Sequence, residues 1–232
     1  MLGVIRIIAG LLTYPFCVAA SLTVLDVLGL VRPESYSAVT PETWALVIGF
    51  VLWSFLYLTM PRPVRTYVLA HELTHALWGT LMGARITKFK VSRDGGSVTL
   101  SKNNFLITLA PYFFPFYTFI VILIYAALSL FLELGAYELY WLGLVGLTWG
   151  FHFSFTISML LQHQSDIQRY GHLFSYGIII LLNVLGIAIW IVAVSSVTGT
   201  DMWRRFAVRS VEVWSWLAAQ AMAGGRFLAQ YF

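Results

Sequence analysis

The sequence predicts an all-α polytopic membrane protein, with about six transmembrane helices and one small β-hairpin. Three observations carry that expectation. Hydrophobic residues make up 59% of the 232-residue chain and charged residues only 10%, against about 45–50% and about 25% in soluble domains. Mean hydropathy is +0.81. Uncharged apolar stretches of helix length recur along the chain. A chain so poor in charge cannot cover a globular surface with polar groups. That excludes an ordinary soluble protein, a disordered chain and most nucleic-acid binders. A net charge of +4 fits basic loops beside membrane helices better than a nucleic-acid surface, so no nucleic-acid partner is expected. The single cysteine, Cys17, excludes an internal disulfide and any multi-cysteine metal site.

The elements follow in order. Ile7–Leu25 is uncharged and reads on toward Val31. Arg6 before it resembles the start of a secretory signal, but the run is longer than a signal core of about 7–15 residues, so it reads as a membrane helix. Thr43–Pro61 is the second span, closed by Pro61-Arg62-Pro63. Val64–Gly83 is shorter and more polar. Phe105–Leu132 is long and interrupted by Pro111 and Pro115. Leu139–Leu161 and Leu173–Val194 complete the six. Met202–Phe232 mixes Arg204, Arg205 and Arg209 with tryptophans, the pattern of an interfacial helix or a last short span. No repeat or low-complexity segment divides the chain, so a single domain is expected over residues 1–232, with its core over 61–195.

Arg85–Asn104 differs from its surroundings. Lys88-Phe89-Lys90-Val91-Ser92 and Ser97-Val98-Thr99-Leu100-Ser101 alternate on either side of Asp94-Gly95-Gly96. Period-two alternation around a glycine turn predicts a β-hairpin. Arg6, Arg62 and Arg65 favour a cytoplasmic N-terminus. The side on which the hairpin lies depends on whether Val64–Gly83 crosses fully.

Chemistry concentrates in His71-Glu72-Leu73-Thr74-His75, an H-E-x-x-H pattern in a chain with only five histidines. Residues four apart share a helix face, so both imidazoles reach one ion. Zinc accepts histidine nitrogen, and a catalytic zinc keeps three protein ligands and one open position. Glu72 is offset around the helix, placed to act as general base on a water molecule. Ionisable groups in a membrane helix are expensive and mark function. The third ligand remains open among Asp166, His163, His152, His172 and Asp94. Asp166 is the only acidic residue between Glu138 and Asp201, although an aspartate there also suits a helix cap. His152, in mid-helix, either lines a cavity or packs.

From Pro61 to Asn183 these motifs, in order, resemble the site-2 protease family of intramembrane zinc metallopeptidases. His71-Glu72-Leu73-Thr74-His75-Ala76-Leu77 is similar to the family's zinc helix, with Thr74 where many members have Gly. Met82-Gly83-Ala84, Asp94-Gly95-Gly96-Ser97-Val98 and Leu109-Ala110-Pro111-Tyr112 follow in sequence. An aspartate lies after a further helix. The resemblance implies one zinc per chain, held by His71, His75 and Asp166, with Glu72 as general base. Gln164-Ser165-Asp166-Ile167 departs from the Asp-Gly pattern of many members and looks like a short, divergent branch. No asparagine stands beside Asp166. The implied substrate is the transmembrane segment of another membrane protein, cleaved in or near the lipid bilayer. Pro111 would help open a wet cavity, and a strand edge at Val98–Ser101 or Phe89–Ser92 would hold the unwound substrate. Two other classes compete: a catalytically silent subunit in a membrane-protein complex, and a metal-handling protein. The second lacks the polar path that transport requires.

Overall fold

The computed structural model describes residues 2–30, 41–92, 95–195 and 197–228. The chain divides into two compact units, Ser37–Tyr170 and the pair Met1–Tyr36 with Gly171–Phe232.

The Ser37–Tyr170 unit contains α2 (Pro41–Thr59), α3 (Val64–Leu81), β1 (Ile86–Val91), β2 (Gly96–Leu100), α4 (Phe105–Leu109), α5 (Phe116–Ser129), α6 (Glu138–Leu160) and α7 (Ser165–Tyr170). Helices α2 and α6 interlock through glycine. A Cβ on Gly49 would overlap the Gly143 carbonyl, and one on Gly146 would overlap the Leu46 carbonyl. Lipid tails are as apolar as leucine, so helix association in a membrane depends on such close backbone contact. Aromatic rings fill the seam beside it. Trp53 meets Phe151 at 4.9 Å and Phe50 meets Trp149 at 5.8 Å.

Helix α3 begins after Pro63, where proline suits a helix start, and ends at Gly83 with φ +74°. The Gly83 N–H bonds the Thr80 carbonyl and the Ala84 N–H bonds the Gly79 carbonyl, both at 2.8 Å. This is the left-handed glycine termination that Met82-Gly83-Ala84 suggests. The predicted hairpin is present. β1 and β2 pair antiparallel, with Phe89 opposite Val98 and Lys90 opposite Ser97. Lys88, Lys90, Ser97 and Thr99 are exposed, whereas Leu100 packs on Gly79, where a Cβ would approach Leu100 Cδ1 to 2.7 Å. Asp94, one of the possible ligands in the sequence, lies outside the described residues.

The fourth apolar segment is broken. Phe105–Tyr112 and Phe116–Ser129 meet at 83°, with a 3-10 turn over Ala110–Tyr112 and prolines at 111 and 115. Among the described residues, four helices are long and apolar enough to cross a membrane, or five if the bent pair counts as one span. The expected six spans are therefore not confirmed. Arg65, His71, Glu72 and His75 make α3 too polar to qualify, and the proline break turns the fourth segment through 83°.

The other unit holds α1 (Leu2–Leu30), α8 (His172–Val194) and α9 (Gly199–Leu228). Small residues bring α1 and α8 together: the Cys17 thiol donates to the Gly177 carbonyl at 3.3 Å. Helix α9 is packed on α1. Arg209 grips Asp26 with two bonds of 2.6 Å and reaches Glu212 at 2.7 Å. Phe16 sits against Phe206 and Trp214.

Candidate metal centre

Tyr67, His71 and His75 follow one another at intervals of four along α3 and so form one stripe. Asp166 comes from the first turn of α7, immediately after α6 and its connecting loop. His71, His75 and Asp166 meet at one point, with Tyr67 behind His71. His71 Nε2 lies 3.2 Å from His75 Nε2. Asp166 Oδ2 lies 3.3 Å from each of those nitrogens. Three metal-ligand atoms thus form a nearly equilateral triangle. Among the described residues this is the one group of His, Cys, Asp or Glu side chains able to share an ion.

Each ligand is held from behind. His75 Nδ1 donates to the Ile107 carbonyl at 2.9 Å. A carbonyl only accepts, so a proton sits on Nδ1, and Nε2 is the nitrogen turned into the triangle. His71 Nδ1 meets the Tyr67 hydroxyl at 3.2 Å, and Tyr67 is itself stacked on Phe155 at 4.7 Å. The Tyr112 hydroxyl donates to Asp166 Oδ2 at 3.3 Å. Such outer partners fix the orientation and tautomer of metal ligands. Burial opposes the charge on Asp166, but hydrogen bonds from His71 and His75 outweigh it. They hold the carboxyl well below the usual carboxylate range.

The triangle borders a cleft of about 740 Å³, and Glu72 faces the same space. Burial pushes the Glu72 carboxyl up, while the neighbouring Val98 backbone favours its charged form. Gly96 leaves room for that side chain, since a Cβ there would come within 2.8 Å of Glu72 Oε1. Residues 95–100 line the cleft, so β2, and not β1, forms its wall. Of the two strand edges considered from the sequence, the one at Val98 borders the metal centre.

The other candidate residues lie elsewhere. His163 is exposed and hydrogen-bonds Gln168. His172 opens α8, in the other unit. His152 is buried on α6, and its Nε2 has no hydrogen-bond partner among the described residues. It shares a cavity of about 10 Å³ with His71 and Thr74, behind the cleft. Pro111 lies at the bend, beside that small cavity. Sequence reasoning did not find Tyr67, Tyr112 or the Ile107 carbonyl. Tyr67 carried a signal, being four residues before His71. The other two are brought in only by the bend.

Compared with known proteins, the chain matches no family model, no curated protein and no solved structure.

Proposed function

We propose that this chain is an intramembrane zinc metalloprotease that hydrolyses peptide bonds of membrane proteins within or near the bilayer. The observation that carries the reading is the triangle of His71, His75 and Asp166 beside Glu72. Bonds of about 2.0–2.1 Å to a tetrahedral zinc place neighbouring ligand atoms roughly 3.3–3.4 Å apart. The triangle's sides of 3.2 and 3.3 Å fit that ion. Two neutral imidazoles and one carboxylate are also the donor types of a hydrolytic zinc site. The resemblance of the H-E-x-x-H helix and of the later aspartate to site-2 proteases supports the same assignment.

When bound, zinc supplies a Lewis acid that polarises a carbonyl and acidifies water. The chain's own residues do the rest. Glu72 accepts a proton from the water as its oxygen adds to the carbonyl carbon, and then delivers that proton to the amide nitrogen, so that the C–N bond breaks and the carbonyl re-forms as a carboxyl group. Val98 steadies that carboxylate. The edge of β2 along the cleft receives an extended substrate segment, and Asp166, His71 and His75 keep their positions throughout. The substrate is a transmembrane segment of another membrane protein. The N-terminus is cytoplasmic.

The test joins metal content to cleavage. Detergent-purified wild type should carry about one zinc per chain, and Asp166→Ala should lose most of it. Glu72→Gln should keep the zinc yet lose cleavage of a membrane-protein substrate by a factor of about 10²–10⁴. Zinc retained by Asp166→Ala would refute the ligand set. Cleavage unchanged in Glu72→Gln would refute the proposed base. A wild type that binds zinc but cleaves nothing would favour the silent-subunit alternative.

A further inference from the structure

We propose that the bend between α4 and α5 is a positioning clamp for the metal centre: Pro111 frees the Ile107 carbonyl to orient His75, and the Tyr112 hydroxyl orients Asp166. The inference rests on the reading that His71, His75 and Asp166 hold a metal ion.

It begins with the helix ladder. The Ala110 N–H bonds the Leu106 carbonyl. The next bond of an α-helix would run from residue 111 to the Ile107 carbonyl. Pro111 has no N–H, so that carbonyl loses its helical donor. Ile107 is 1% exposed, and a buried carbonyl needs a partner. The partner is His75 Nδ1 at 2.9 Å. A missing proton at residue 111 is therefore matched by a proton held on His75, and that match turns His75 Nε2 toward the other two ligands.

Tyr112 follows directly. It is wholly buried. Its hydroxyl lies 3.3 Å from Asp166 Oδ2 and 3.5 Å from Gln164 Oε1. Oδ2 is the same carboxylate oxygen that approaches both histidines. A phenol donating to it holds the carboxylate in one orientation. Neither Pro111 nor Tyr112 lines the cleft, so both act through the ligands and not on substrate. One broken turn thus steadies two of the three ligands from the side away from the cleft. An unbroken helix would reclaim the Ile107 carbonyl.

The experiment uses the full chain in detergent, with Pro111→Ala, Tyr112→Phe and Pro115→Ala. Zinc affinity is read by competition with a chromophoric chelator. Geometry is read from the visible absorption of protein loaded with Co²⁺. Pro111→Ala and Tyr112→Phe should each weaken zinc about 10–100-fold and alter the cobalt bands. Pro115→Ala removes the other proline of the same bend but leaves both contacts, and should match wild type in both readouts. Wild-type affinity and cobalt bands in Pro111→Ala and Tyr112→Phe would overturn the clamp while leaving the three-ligand reading intact. Equal losses in all three variants would also overturn it, since any disturbance of the bend would then suffice. Should Pro111→Ala fail to fold, Tyr112→Phe, which keeps the buried ring, decides alone. A wild type that binds neither ion would end the three-ligand reading and the clamp with it.

Discussion

The general base proposed here depends on a residue with no side chain. A methyl group on Gly96 would meet Glu72 Oε1 at 2.8 Å and push the carboxylate out of place. Gly96→Ala should therefore reduce cleavage about 10²-fold while zinc content stays at wild type, because small misplacements of reacting groups are costly. Equal losses of zinc and cleavage would point to a wider collapse instead. The pH dependence of metal binding is also a residue-scale matter. Each histidine must be neutral to bind, so zinc affinity should fall as pH drops through the histidine range, approaching two decades per unit once both rings compete for protons. Asp166 does not share in that fall. Its folded value is depressed, so its contribution is complete above the unfolded value near about 4 and is lost only as pH drops through the lower folded value. A midpoint near pH 4 in chelator competition, with no loss above it, would contradict histidine ligation.

At the scale of elements, the α2–α6 pair stands on glycine contacts that differ sharply from one turn to the next. A Cβ on Gly146 would overlap the Leu46 carbonyl, whereas a Cβ on Gly143 meets Ala45 O at an ordinary 3.7 Å. Gly146→Ala should lower the melting temperature in detergent by several degrees, corresponding to about 1–3 kcal/mol for a forced separation of packed helices. Gly143→Ala should change it little. Equal effects of the two substitutions would mean that the helices are not held by close backbone approach. The hairpin and α3 form a second partnership, through Leu100 on Gly79 and Val98 on Glu72. That partnership makes β2 a wall of the cleft, so the strand serves the site as much as the fold.

For the whole molecule, four or five helices among the described residues are long and apolar enough to cross a bilayer, as a membrane protein requires. The proposed orientation, with a cytoplasmic N-terminus, rests on the basic residues. Arg62 and Arg65 follow directly on α2, and positive charge favours the cytoplasmic side. In a Cys17→Ser background, Arg62→Cys should react with a membrane-impermeant thiol reagent in inverted vesicles and not in right-side-out ones. The reverse pattern would invert the proposed topology.

Much of this was determined by the sequence alone. Composition excluded a soluble protein, alternation announced the hairpin, Gly83 marked the end of α3, and the spacing of His71 and His75 placed two imidazoles on one face. These are local properties, set by helix and strand periods and by the backbone freedom of glycine. Only the tertiary structure shows Asp166, and not His163 or His152, beside both His71 and His75, because residues 95 positions apart meet by packing and not by any period. Chain folding likewise decided that the bend at Pro111 lies against the histidine pair and that β2 borders the cleft. In each case the cause is the same: a buried donor or carbonyl must find its partner wherever the chain brings one, and only the folded chain holds that information.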